Sequence, residues 1–366
     1  MTTAGTRREA IKLAPLVRLL ARRAHVEHRL IATGQQRTGV HRTLADFAIE
    51  ADADLALPEA TPDAHAEAIG RALPPLLRAF TPDLLIVQGD TSSAWAAALT
   101  AAAHDIPIGH VEAGLRRGDT ASLWPDERNR REIDGVSTLL FAPSQSAAAN
   151  LAGLRGEIHV TGSTGIDALM EIKGRQALRL HEAPRKLILV ACRRRETLPH
   201  LPAICAVLRR LAAREDVALL LPIDGDPAVA GLLRAAVDGV PGIYLEPRLA
   251  YPELIRLMGR AYLLLTDSGS LQEAAPALGL PALVLHDVTE RPEPVATGNV
   301  RLVGRNPERI FAETSRLLDE RQHHAAMSRP AFPYGRGDAA SRIFQIIERW
   351  ADLPATILFE PRRAYG

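Results

Sequence analysis

Cysteine is nearly absent from this chain. Cys192 and Cys205 are the only two in 366 residues. They cannot build a disulfide framework and offer no paired ligand spacing, so no metal is expected and the reducing cytoplasm is the expected compartment. Aromatic residues make up only 4% of the chain, which argues against a base-stacking surface for nucleic acid. Neither sign of charge dominates. The net charge of +1 exerts no bulk pull toward nucleic acid or acidic membranes. Long apolar runs are lacking as well. None could span a bilayer, and the opening "MTTAGTRREA" has no apolar signal region. No tandem repeat occurs at solenoid spacing.

What remains is a pattern of short β-rich runs alternating with amphipathic helices. Strands are expected at "HRLIAT", "DLLIVQ", "IPIGHV", "TLLFAP" and "EIHVTG" in the first half. In the second half they are expected at "KLILVA", "VALLLPI", "IYLEP", "YLLLTD" and "PALVLH". In "EAIKLAPLVRLLARRA" Leu13, Leu16, Val17 and Leu20 fall on one helical face. Such alternation predicts parallel, doubly wound sheets, and near-continuous apolar strands predict burial on both faces. The length favours two domains. The boundary is expected near residues 163–180, where "TGSTGIDALM" runs into a polar, basic stretch. The ligand site is then expected in the cleft between the carboxyl ends of the two sets of strands. One feature is out of order. Only Met1–Ala4 precede Gly5, about 13 Å of chain at about 3.3 Å per residue and short of a usual strand. Either translation starts upstream or the first domain lacks a full first strand.

Several segments carry chemical logic. In "TDSGSLQEAAPALG", residues 266–279, a strand end, a small-residue turn and a helix starting near Leu271 make an anion site suited to phosphate. There Ser268, Gly269 and Ser270 would let a diphosphate approach the backbone. Taken alone, the segment also fits an ordinary helix start capped by Asp267 or Ser268. "VQGDTSSAW" repeats the design around Gly89 and Asp90, with the same alternative. "GHVEAGLRRGD" places His110 and Glu112 at a strand end. "LWPDERNRRE" packs Asp126 and Glu127 among Arg128, Arg130 and Arg131, and by itself such a charge run is most often a solvated helix face. Carboxylates converging on one cleft can have their pKa values driven apart, which yields an acid and a base. "GTRREAIK" sets Arg7 and Lys12 around a helix start. The loop "HDVTERPEPVATGN" carries Glu290 and Arg291. "ILVACRRRETL" ends a buried strand in a basic turn containing Arg193.

These segments occur in order with "TGQQR", "HVTGSTGIDAL", "VRLVG" and "PYGRGDAASRI". Together they resemble the non-hydrolysing UDP-N-acetylglucosamine 2-epimerases, from Gly5 to about Ile343, as a divergent member. The resemblance implies a glycosyltransferase-B-type architecture of two Rossmann-like domains with the site between them. The first domain would span 1–165, completed by C-terminal helices at about 338–366, and the UDP-binding domain 166–337. It implies interconversion of UDP-N-acetylglucosamine and UDP-N-acetylmannosamine through elimination and re-addition of UDP. It implies a homodimer and no cofactor or metal. Asp90, Glu112 and Asp126 fall on the family's catalytic carboxylates. Arg7, Lys12, Arg130, Ser268, Gly269, Glu273 and Arg291 fall on positions of UDP binding or site lining.

The departures concentrate in the site. Arg193 stands where the family has a functional histidine, and arginine holds charge without exchanging a proton near neutrality. Asp126 replaces a glutamate, which withdraws its carboxylate by roughly 1 Å. Asp224 replaces a second histidine, Ala274 a ribose-binding glutamate, Leu254 an aromatic near the uracil, and Ser270 a glycine at the diphosphate. In the family's regulatory substrate site, Gln36 replaces a histidine and "LPEATPD" a basic motif, which argues against feedback activation. Three activities stay open: epimerisation with a drifted site, nucleotide-sugar binding without turnover, and a hydrolytic or altered-substrate reaction.

Overall fold

Leucine-, isoleucine- and valine-rich runs alternate with amphipathic helices along the chain, and each half winds into its own parallel sheet. The structure is a computed structural model that describes residues 1–57, 61–116, 126–175, 185–192, 195–223 and 227–352. The first sheet contains β1 (Thr2–Ala4), β2 (Leu30–Ala32), β3 (Ala53–Asp54), β4 (Leu85–Gln88), β5 (Ile108–Val111), β6 (Leu139–Ala142) and β7 (Glu157–Val160). Its order is β3-β2-β1-β4-β5-β6-β7. The second contains β8 (Lys186–Ala191), β9 (Val217–Pro222), β10 (Ile243–Glu246), β11 (Leu263–Thr266), β12 (Ala282–Val284) and β13 (Val300–Leu302). Its order is β10-β9-β8-β11-β12-β13. Strand order reverses between β1 and β4 in one sheet and between β8 and β11 in the other. Ligands of open parallel sheets bind at such reversals, beyond the carboxyl ends of the strands. Both halves are therefore Rossmann-like.

The central strands β4, β5, β6 and β11 are buried at every position, as their unbroken apolar runs predict. Helices cover both faces. Leu13, Leu16, Val17 and Leu20 of the Arg7–Ala21 helix all enter the first core. The Ala339–Ala351 helix lies against that helix and contributes Ile343, Phe344 and Trp350 to the same core. Its N-terminus is held by Asp167, whose two carboxylate oxygens accept the N–H groups of Ala339 and Ala340 at 3.1 and 2.6 Å.

Some elements differ from the sequence reading. Hydrophobic runs do not announce β3 and β13, which are two and three residues long. Strand β1 has three residues, yet it occupies the sheet centre, pairing with β2 and meeting β4 at Thr2–Ile86. The helix expected to begin near Leu271 begins at Gly269. Glycine and serine disfavour helix interiors and so read as turn, but a first turn tolerates them. Among the described residues, no helix is long and apolar enough to cross a membrane.

Candidate active site

The cleft is built by loops at the carboxyl ends of β4, β5, β11 and β12 together with the start of the Arg7–Ala21 helix. Past β4 the chain turns at Gly89 and presents Asp90. Thr91 then caps the Ser92–Ala102 helix by accepting from the Ala94 N–H at 3.1 Å. Asp90 pairs with Arg130, and its carbonyl accepts from Asn129 Nδ2 at 3.1 Å. Past β5, Glu112 has a left-handed backbone (φ 71°), uncommon for a residue with a side chain. Its carboxylate accepts from Lys12 Nζ at 2.5 Å, Arg291 Nη2 at 2.8 Å and Gln88 Nε2.

Asp126 opens the Asp126–Val136 helix, is exposed, and lines the same cavity as Asp90 and Glu112. The helix is not merely a solvated face. Arg128 and Arg131 point outward, but Glu127 and Arg130 are buried and paired with each other at 3.1 Å.

The second half supplies the opposing wall. Ser268 holds the N-cap position of the Gly269–Leu278 helix, but its side chain makes no capping bond. Instead its hydroxyl lies 3.2 Å from that of Ser270. Asp267 is turned away and accepts from Thr197 Oγ1 at 2.7 Å. The first-turn N–H groups are thus left for an anion, which the helix dipole favours. Gly269 is needed for close approach, because a Cβ there would overlap the Arg291 guanidinium and lie 3.0 Å from Glu290 Oε1. Glu273, one turn into the helix, is buried. It accepts from Arg291 Nε at 3.1 Å, from Lys12 Nζ at 3.4 Å and from Ser163 Oγ. Burial pushes the Glu273 carboxyl up, but Lys12 and Arg291 outweigh it and hold it below the usual range.

Lys12 from one half and Arg291 from the other therefore join Glu112 to Glu273 across the cleft. A smaller cavity of about 220 Å³ holds the carboxylates. A larger one, about 490 Å³, is lined by Arg7, Gln36, Arg248, Tyr251, Leu254, Ile255, Leu271 and Ala274, and is of a size for a small-molecule ligand. Lys12, Gly269 and Ser270 line both. Arg7 donates to the Leu249 carbonyl at 2.5 Å. Leu254 shares its cavity with the aromatic ring of Tyr251, one helical turn earlier, which itself packs on Phe47.

Of the residues singled out by sequence, Asp90, Glu112, Asp126, Arg7, Lys12, Arg130, Ser268, Gly269, Ser270, Glu273 and Arg291 are all brought to this cleft. Arg193 and Asp224 lie outside the described residues. Three buried groups went unread: Glu9, Gln88 and Ser163. Glu9 had a visible signal, because Thr6-x-x-Glu9 is a capping-box pattern. Its carboxylate accepts from the Gly5 N–H at 2.8 Å and from the Thr6 and Thr91 hydroxyls at 2.7 Å each, and burial pushes it up. Among the described residues no group of three or more His, Cys, Asp or Glu could hold a metal ion.

Comparison with known proteins gives this cleft its context. The family profile for UDP-N-acetylglucosamine 2-epimerase matches residues 18–348. The chain belongs to the UDP-N-acetylglucosamine 2-epimerase family. A family member from Salmonella typhimurium, named UDP-N-acetylglucosamine 2-epimerase, is 38% identical over 371 residues, covering 96% of this chain and 98% of that protein. One of the same name from Escherichia coli strain K12 is 38% identical over 367 residues, covering 95% of this chain and 98% of its own. The crystal structure of UDP-GlcNAc 2-epimerase from Neisseria meningitidis bound to UDP-GlcNAc matches at a TM-score of 0.90 and 33% identity. That match covers 95% of this chain and 99% of the other. The two-domain architecture of the epimerase family is thus the architecture seen here.

Proposed function

We propose that this chain interconverts UDP-N-acetylglucosamine and UDP-N-acetylmannosamine by eliminating UDP and adding it back to carbon 1 with its configuration kept, while the proton returns to the opposite face of carbon 2. The observation that carries this reading is the meeting of first-half carboxylates with second-half anion-binding groups through Lys12 and Arg291. In elimination a base takes the proton at sugar carbon 2. The released electron pair becomes the double bond to carbon 1, and the bond from carbon 1 to the diphosphate oxygen breaks with its electrons leaving on UDP. Re-addition reverses these events, with the proton delivered to the other face. We assign proton transfer to Glu112, Asp126 and Asp90. Lys12, Arg291 and the first-turn N–H groups at Gly269 and Ser270 would steady the departing diphosphate, with the Ser268 N–H already donated to Thr266 Oγ1 at 3.0 Å. Arg130 would orient Asp90, while Arg7 and Glu273 frame the nucleotide side. A diphosphate also competes with Glu112 for Lys12 and Arg291, so its arrival would free that carboxylate to act as a base.

Arg193, in place of the family's histidine, favours a second reading in which UDP is released without productive re-addition. One assay separates the two. The protein is incubated with UDP-N-acetylglucosamine in deuterated water and the sugar is followed by NMR. Deuterium at carbon 2 together with the manno epimer supports epimerisation. Free UDP with 2-acetamidoglucal or free sugar supports the second reading, and UDP binding without turnover refutes both. The same reading takes residues 1–165 with helices at about 338–366 as one domain and 166–337 as the UDP-binding domain. The docking of the Ala339–Ala351 helix in the first core supports that division. It also takes the protein as a cytoplasmic homodimer, which light scattering on the purified protein tests for assembly.

A further inference from the structure

His110 is wholly buried in β5 and lines neither of the two cavities described above. Its Nδ1 lies 2.7 Å from Asp134 Oδ1, and its Nε2 lies 2.8 Å from the Gly89 carbonyl oxygen. Burial pushes the Asp134 carboxyl up, but His110 and Arg116 outweigh it and hold it below its usual range, so it is a carboxylate. Both partners of the ring are then pure acceptors, and both ring nitrogens donate. The other Asp134 oxygen accepts from Arg116 Nη2 at 2.7 Å and from the Gly114 N–H at 3.3 Å.

The placement of these contacts is what matters. Gly89 immediately precedes Asp90. Gly114 follows Glu112 by two residues, in the same turn that forces Glu112 to its left-handed φ. Asp134 sits on the helix that begins with Asp126. One buried couple thus binds the three segments that carry the three carboxylates. An isolated core histidine would be satisfied by one or two nearby backbone groups. This one reaches the turn after β4 and the Asp126–Val136 helix, 21 and 24 residues away in the chain.

We propose that His110 and Asp134 form a positioning couple that holds Asp90, Glu112 and Asp126 in mutual register for proton transfer, without touching substrate. The proposal rests on the assignment of those three carboxylates to acid–base work. Register matters because displacement by about 1 Å can cost on the order of a hundredfold in rate. Buried ion pairs contribute little net stability but can specify geometry.

The decisive variant is Asp134→Asn, which keeps the shape and removes the charge and one acceptor. The expected result is a ten- to hundredfold fall in kcat for epimerisation and in carbon-2 deuterium exchange. KM for UDP-N-acetylglucosamine and the Kd for UDP, read by calorimetry, should stay within about threefold, because the diphosphate wall is untouched. Equal losses of turnover and UDP binding would show a merely structural pair and overturn the proposal, as would unchanged kcat. Glu112→Gln is run beside it. If that variant turns over normally, the carboxylate assignment itself falls, and the couple's role with it. If it is inactive while Asp134→Asn is fully active, only the positioning role falls. Should Asp134→Asn not fold, the unaltered protein decides by nitrogen-15 NMR with labelled histidine. Two sheltered ring N–H protons on His110 are expected, and a single one overturns the proposal.

Discussion

Replacing Arg291 by methionine should be costly in a way the structure makes calculable. The guanidinium is buried and faces Glu112 at 2.8 Å, Glu273 at 3.1 Å and Glu290, all three of them about nine-tenths or more buried. At an effective dielectric of about 20, each contact near 3 Å is worth roughly 5 kcal/mol before desolvation is subtracted. Removing one partner of a buried pair typically costs about 3–5 kcal/mol, because the remaining charge stays uncompensated. Lys12 still reaches Glu112 and Glu273, which places the cost near the lower end, about 3 kcal/mol. For a domain of this size that lowers the melting temperature by roughly 6–12 °C. The sign with pH follows from Glu273. With its carboxyl held below the usual range, it contributes stability that is present above the unfolded pKa and is lost as pH falls through the lowered folded value. Without Arg291, burial dominates and the carboxyl moves up. The deficit of the variant is therefore full at pH 7.5 and narrows toward pH 4.5. Thermal melts followed by circular dichroism at both values measure it. Arg291→Met with Glu273→Gln should recover more than half of the loss, and UDP affinity should fall roughly ten- to hundredfold in the single variant. A melting temperature within 2 °C of the unaltered protein at pH 7.5, or a gap that widens in acid, would refute the reasoning.

Three other outcomes follow from local geometry. Gly269→Ala places a methyl group against the Arg291 guanidinium and Glu290, so UDP binding measured by calorimetry should weaken at least tenfold while the circular dichroism spectrum is unchanged. Asp167→Ala removes the acceptor of two N–H groups at the start of the Ala339–Ala351 helix. A loss of about 1–2 kcal/mol is expected, with faster amide exchange confined to that helix and its contacts, read by hydrogen-exchange mass spectrometry. His28 is pushed down to about 4 by burial and, less strongly, by the nearby chain-terminal amine, and its Nε2 lies 2.9 Å from Thr2 Oγ1. The unfolded state takes up this proton first, so the contribution of His28 falls by up to roughly 3 kcal/mol from pH 6.5 to 4. His28→Gln should flatten the acid side of the stability profile over that interval, as melts across pH would show.

Most of the architecture was legible because its causes are local. The unbroken apolar runs at "LLIV" and "YLLLTD" could only be strands buried on both faces, and β4 and β11 are buried throughout. Short strands such as β3 and β13 escaped notice because two or three residues carry no period; neighbouring strands recruit them. Strand β1 is the opposite case, a short segment that holds the sheet centre because β2 and β4 pair with it on both sides. Within the site, glycine and serine at 268–270 read either as a phosphate turn or as an ordinary capped helix start, and only the structure shows that Ser268 makes no side-chain capping bond and that Asp267 accepts from Thr197. Glu9 had its capping-box signal. Ser163 had none, because its partner Glu273 lies 110 residues away.

Local chemistry along the chain, then, determined the α/β winding, the ordered motifs of the epimerase family and the residue types able to grip a diphosphate or move a proton. The tertiary structure decided which of those residues meet. Lys12 and Glu273 lie 261 positions apart, yet together with Glu112 and Arg291 they form one buried ionic link across the cleft. No spacing rule reaches that far. Such contacts arise when two sheets present their carboxyl ends to one another, and burial then makes each charge depend on the others.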